Sequence, residues 1–367
     1  MRSQKSVLYV LMAAVLVVTG VVGMSVASAQ TQSMTPTIKL GSTDALGSFL
    51  VDANGMTLYI FEKDTTPGQS TCADQCATNW PPLLVQQGET PTLDAGIPGQ
   101  LGVITRADGG LQVVFDGMPL YYYAKDTKPG DTTGNEVGDV WYVATPAPVS
   151  LGGNSDLGQF LVGANGMTLY MYSKDEANKS NCYDQCATNW PPLLVKQGAD
   201  APKLQLGLDG KLDVIDRTDG TKQVTFDGMP LYFFAKDTKP GDATGQNVGS
   251  VWFVIQPKTL RVGGNDALGK FLVGPNGMTL YIYTKDTAGV SNCYDKCAVA
   301  WPPLLVANGQ TPGLGDGVTG QVAVIDRTDG TKQVTYNGMP LYYWAKDVVP
   351  GDATGQNVGG VWFIQAP

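Results

Sequence analysis

One ten-residue phrase recurs six times along the chain: GMTLYIFEKD from Gly55, GMPLYYYAKD from Gly117, GMTLYMYSKD from Gly166, GMPLYFFAKD from Gly228, GMTLYIYTKD from Gly277 and GMPLYYWAKD from Gly338. Each phrase is entered through Asn-Gly or Asp-Gly, at Asn54, Asp116, Asn165, Asp227, Asn276 and Asn337. Those pairs tolerate the positive φ angles of a type I′ turn, whose twist matches that of paired strands. Apolar runs such as Phe49-Leu50-Val51 and Gln112-Val113-Val114-Phe115 lie just before the turns, so the pattern predicts six β-hairpins.

A longer period contains the short one. Trp80, Trp190 and Trp301 each open a Trp-Pro-Pro-Leu-Leu-Val string, 110 and 111 residues apart, and Trp141, Trp252 and Trp362 repeat at 111 and 110. The chain therefore divides into a leader at 1–29, a short linker at 30–36, and three modules at 37–146, 147–257 and 258–367. Each module holds two hairpin half-repeats 61 or 62 residues apart. With 46 glycines and 23 prolines favouring turns and short strands, the expected fold is all-β: three tandem β-sandwich or barrel-like modules. A six-bladed propeller built from the six halves is the alternative. The Pro-containing joints at 145–148 and 256–258 suggest semi-rigid beads. After each turn the alternation in Leu120-Tyr121-Tyr122-Tyr123-Ala124-Lys125 leaves both faces apolar, as in a strand covered on two sides.

Residues 1–29 read as a secretory signal peptide, with Arg2 and Lys5, an apolar run from Val7 to Val18, and Ala27-Ser28-Ala29 as the cleavage site. An uncleaved membrane anchor is the alternative, since apolar residues continue intermittently to Val26. No later segment could span a membrane, and an extracytoplasmic location, secreted or at the bacterial cell surface, follows. The remaining chain has 22 basic and 33 acidic residues, a net charge of −11. Such a surface repels phosphate backbones, so nucleic acid is not expected as a partner. Histidine is absent altogether, which removes the Ser-His-Asp triad and histidine metal sites.

The six cysteines fall in one segment per module: Cys72 and Cys76, Cys182 and Cys186, Cys293 and Cys297. In an exported chain such pairs read as local disulfides, each closing a short loop and stabilising by about 2 kcal/mol in the chain-entropy model. A regular helix would hold the β-carbons too far apart, so an irregular turn is expected. The alternative is a dithiol redox or copper(I) site assisted by Met56, Met167 and Met278.

The motif Tyr-x-(Phe/Trp/Tyr)-x-x-Asp stands at Tyr59/Phe61/Asp64, Tyr121/Tyr123/Asp126, Tyr170/Tyr172/Asp175, Tyr232/Phe234/Asp237, Tyr281/Tyr283/Asp286 and Tyr342/Trp344/Asp347. Together with Cys-x-x-x-Cys-Ala and Trp-Pro-Pro-Leu it resembles a bacterial family of secreted repeats of unknown function, lipoproteins carrying that motif, over nearly the whole chain after the leader. The resemblance implies an exported, repeat-built protein and brings no activity with it. Members are often anchored through a cysteine directly after the signal. The first cysteine here is Cys72, so lipid anchoring is not expected.

Two readings of the motif stand side by side. In the structural one the aromatics pack on a neighbouring layer, the lysine lays its stem over a ring, and the aspartate bonds to amides of the following turn. In the binding one an aromatic ladder rimmed by Lys and Asp stacks on sugar rings of an envelope or extracellular polysaccharide. Its candidate residues are Tyr121, Tyr123, Lys125, Asp126, Tyr232, Phe234, Lys236, Asp237, Tyr342, Trp344, Lys346 and Asp347. No acid–base constellation is singled out, so no catalysis, no cofactor and no metal are expected. The functional expectation is a non-catalytic, multivalent binding or structural protein.

Overall fold

The computed structural model describes residues 37–43, 45–195 and 202–367; the leader and linker lie outside them. In the first copy β1 (Thr37–Thr43) and β2 (Gly47–Val51) pair antiparallel from Lys39↔Val51 to Thr43↔Gly47, and β1 also pairs in parallel with β5 (Thr92–Leu93). A second sheet is centred on β7 (Leu111–Phe115), flanked by β4 (Leu84–Val85) and β6 (Leu101–Thr105), with the short β8 (Met118–Pro119) folding back onto it. The third pairing joins β3 (Tyr59–Phe61) of the first half to β9 (Trp141–Val143) of the second. Copies two and three repeat the β3–β9 pairing as Tyr170–Tyr172 with Trp252–Val254 and Tyr281–Tyr283 with Trp362–Ile364.

The all-β expectation is met, with two adjustments. Among the described residues the sheets hold two to four short strands and none closes into a barrel. Nor are the halves propeller blades, because the strand after each first-half turn pairs with the closing strand of the second half.

The two hairpin types differ. Asp116 (φ 45°) and Gly117 (φ 80°) both adopt positive φ between Phe115 and Met118, as a type I′ turn requires, and Asp227 and Asn337 behave likewise. In the first halves only the glycine does so: Gly55 (φ 84°) donates to the Asp52 carbonyl, giving a wider turn bridged at Val51↔Thr57. The ladder also stops at Pro119 instead of running to Lys125; Tyr121 continues only as single bridges to Tyr59 and Pro82.

Alternation sorts the side chains into two cores per copy. Leu50, Leu58, Val113 and Leu120 enter an aliphatic core, while Phe49, Val51, Tyr59, Tyr121 and Trp141 enter an aromatic one. Neighbours in sequence thus face opposite layers, which is the two-sided burial that the alternation predicts.

The copies touch directly rather than hanging on their joints. Gly96 of the first packs on Gly166 and Pro240 of the second, Gly207 of the second on Asn276 and Pro350 of the third, and Val348 of the third on Gly102 of the first. Asp116 accepts a 3.2 Å hydrogen bond from Gln205 Nε2 across the first of these contacts.

Candidate functional site

The motif's tyrosines and aspartates are exchanged between the halves of each copy. Tyr59 Oη donates to Asp126 Oδ2 at 2.6 Å, and Tyr121 Oη donates to Asp64 Oδ2 at 2.6 Å. Copy two repeats this with Tyr170–Asp237 and Tyr232–Asp175, and copy three with Tyr281–Asp347 and Tyr342–Asp286, all at 2.6–2.7 Å. The second carboxylate oxygen is held locally: Asp126 Oδ1 accepts from Thr133 N and Oγ1, and Asp64 Oδ1 from Thr71 N and Oγ1.

Burial pushes the hydroxyls of Tyr59, Tyr121, Tyr170, Tyr232, Tyr281 and Tyr342 far above the ordinary phenol range. These phenols stay neutral donors to carboxylates. Desolvation also raises Asp175, Asp286 and Asp347, against the hydrogen bonds that favour their charged forms.

The second aromatic of each motif closes a four-ring stack. In copy one Phe61 stacks on Trp141 at 4.1 Å, Trp141 on Trp80 at 3.9 Å, and Trp80 on Tyr123 at 4.2 Å. Tyr59 meets Trp80 edge-on at 5.4 Å and Tyr121 meets Trp141 edge-on at 5.2 Å. Such pairs contribute about 0.5–1.5 kcal/mol each beyond area burial. Equivalent stacks run Tyr172–Trp252–Trp190–Phe234 and Tyr283–Trp362–Trp301–Trp344. Gly134 is required beside the first: a β-carbon there would sit 2.8 Å from the Trp80 ring and 2.9 Å from that of Tyr59.

A buried arginine completes the network. Arg106 donates to Ser70 Oγ (2.8 Å), Gln112 Oε1 (2.6 Å) and the Cys72 carbonyl (2.8 Å), and Ser70 Oγ lies 2.7 Å from Tyr121 Oη. Arg217 and Arg327 do the same in the other copies, and their guanidinium groups also lie over Tyr183 and Tyr294 at 4.4 and 4.3 Å. Sequence reasoning passed over these arginines, although Arg-x-Asp-Gly recurs at 106, 217 and 327 with a glutamine six residues after each arginine.

All six cysteines are paired within their own segments, with Cα–Cα distances of 5.2–5.3 Å. The irregular turn is there too: Asp74, at φ 51°, separates Cys72 from a short helix, α1 (Gln75–Asn79), that carries Cys76. The bridges take up the sulfurs that the dithiol copper alternative needs, and nothing in the structure supports that alternative. Among the described residues no cluster of three or more Cys, Asp or Glu is placed to hold a metal ion.

The proposed ligand-contacting set is split by this geometry. Tyr121, Tyr232 and Tyr342 have no exposed surface, and Asp126, Asp237 and Asp347 are buried beside the opposite tyrosines, so these six are corrected from contact residues to packing residues. The aspartates do take a backbone amide, but one just beyond the following turn, at Thr133, Thr244 and Thr354, while in copy one the turn's own Thr127 and Lys128 amides go to Asp131. Tyr123, Phe234 and Trp344 are half-buried, and Lys125, Lys236 and Lys346 are exposed beside them. Lys125 Nζ lies 5.9 Å from the Tyr123 ring centroid and Lys346 Nζ 5.6 Å from that of Trp344. Separately, a cleft of about 760 Å³ opens where the copies meet, with Gln100, Asn154, Gln159, Asn308 and Thr331 among its walls.

A family model described as a secreted repeat of unknown function matches residues 42–84, 102–145, 153–194, 213–256, 264–305 and 323–365. No curated protein and no solved structure matches the chain. Among the described residues no helix is long and apolar enough to cross a membrane.

Proposed function

The chain belongs to this family of secreted repeats, and on that premise we propose that it is a non-catalytic, extracytoplasmic protein that binds neutral envelope or extracellular polysaccharide through one contact point per copy. The observation that carries the reading is the half-buried ring at the end of each stack, Tyr123, Phe234 or Trp344, with an exposed lysine beside it. A flat ring whose position is fixed by three others behind it suits stacking against a sugar face, at little entropic cost on binding. The amide side chains of the central cleft add uncharged donors and acceptors that complement sugar hydroxyls. Three linked weak contacts gain avidity over any one of them.

Pulldown on purified cell-wall polysaccharide tests the proposal. Retention of the native chain, reduced about tenfold or more in a Tyr123→Ala/Phe234→Ala/Trp344→Ala variant, is expected for linked sites. Equal retention of the two would end the reading.

A further inference from the structure

The two contacts between successive copies are one contact used twice. At the first, a β-carbon on Gly166 would collide with the Gly96 carbonyl oxygen, with Pro240 closing the other side. At the second, Gly207 takes the place of Gly96, and Gly277 and Pro350 take those of Gly166 and Pro240. A loop docked on a hairpin joins two unlike surfaces, so among the described residues the series leaves a loop with no docked hairpin at one end and a hairpin with no docked loop at the other.

Three copies do not close the circle. Around the third copy's loop, a β-carbon on Gly317 would have only Val262 of its own copy within 4 Å among the described residues. At the first copy's hairpin the three nearest atoms to a β-carbon on Gly55 all belong to Pro129. The third copy instead reaches the first through Val348 on Gly102, a next-but-one contact of the kind a screw produces.

The two free ends are chemically matched. Arg261 pairs with Val273 in the ladder, donates across the second contact to the Gly207 carbonyl, and lies 3.3 Å from the Pro275 carbonyl. Lys39 holds the same register against Val51, and its Nζ lies 3.4 Å from the carbonyl of Ala53, the counterpart of Pro275. It is placed to receive an incoming loop as Arg261 does. The third copy's loop brings an exposed Asp316 where the earlier loops carry Ala95 and Leu206. The next-but-one contact is matched as well: Thr127-Lys128 stands where Val348-Val349 does, and Asp213, an exposed carboxylate with Lys211 Nζ at 2.9 Å, where Gly102 does.

We propose that the secreted chain self-associates head to tail, the loop at 315–318 of one molecule docking on the Gly55–Pro129 hairpin face of the next, in an open-ended series. The partner is a second copy of this chain, held by Lys39 against the acidic loop and by Lys128 against Asp213. This is independent of any polysaccharide contact.

Sedimentation velocity of the processed chain across a concentration series tests it. The average mass should climb past that of a dimer without a plateau. Lys39→Glu and Asp316→Lys should each weaken association about tenfold, and the doubly reversed chain, Lys39→Glu/Asp316→Lys, should recover it, because each molecule then carries both reversed partners. Both positions lie outside the cores, and Asp316→Lys alone carries the test should the Lys39 variant misfold. A monomer at every concentration, a mass that stops at the dimer, or indifference to the single reversals would overturn the proposal.

Discussion

Tyr59 and Tyr121 each donate a backbone N–H to the other's carbonyl, at 2.8 and 3.0 Å, and each passes its hydroxyl to the aspartate of the other's half. The recurring phrase is therefore a reciprocal clasp between half-repeats. Its tyrosine and aspartate act on the partner half, and its second aromatic covers one end of a tryptophan pair.

Tyr59→Phe removes the donor to a buried carboxylate and leaves the ring in place. It should cost about 1–3 kcal/mol. The check is urea denaturation followed by tryptophan fluorescence; a loss below about 0.5 kcal/mol, the usual range for an inconsequential surface change, would show that the hydroxyl is dispensable.

Arg106→Met should cost more, about 2–4 kcal/mol, because Ser70, Gln112 and the Cys72 carbonyl all lose their donor at once. Arg106→Lys should rescue little of that, since one ammonium cannot span three acceptors held by a planar fork. Thermal unfolding of the two variants beside the native protein measures both effects.

Asp116 stands at the contact between copies one and two, where desolvation raises its pKa from 3.8 to about 6, against hydrogen bonds from Gln100 and Gln205. A carboxyl raised in the folded state binds protons there more tightly than in the unfolded chain, so between these values stability rises as pH falls. Asp116→Asn copies the residue that the third copy already uses at Asn337. It should add about 1 kcal/mol at neutral pH and flatten the pH profile below it. A denaturation series from neutral to acid pH reads both; an unchanged profile would place the titration elsewhere.

Reducing the three bridges frees loops of equal size in the three copies. A loss of about 2 kcal/mol per bridge is expected, seen as a lower unfolding midpoint in reductant. Cys72, Cys182 and Cys293 are almost wholly buried, so native protein should react slowly with reductant and quickly once urea is added.

Much of this was legible in the sequence because it is local. Asp116-Gly117 fixes a turn by its own φ preferences, and alternation at Leu120 and Tyr121 assigns each to a layer. The clasp was not legible, since Tyr59 and Asp126 are 67 residues apart and no local preference encodes which aspartate a tyrosine meets. Period-two alternation puts Tyr121 and Tyr123 on one strand face. They do share a layer, but the first is sealed beneath its partner half while the second caps a stack at the surface. Arg106 was missed for a related reason: its turn, Arg-Ala-Asp-Gly, reads as an exposed hairpin tip until the Ser70 segment folds over it.

The clasp imposes parity on how such a polypeptide can lengthen or shorten. Excising one half-repeat would strand a phenol and a carboxylate in the interior of the survivor, each deprived of its counterpart, whereas excising a whole copy leaves every pair intact. Inheritance of this architecture is thus counted in twos, and a gene encoding an odd number of halves would have to borrow the missing one from a neighbouring molecule.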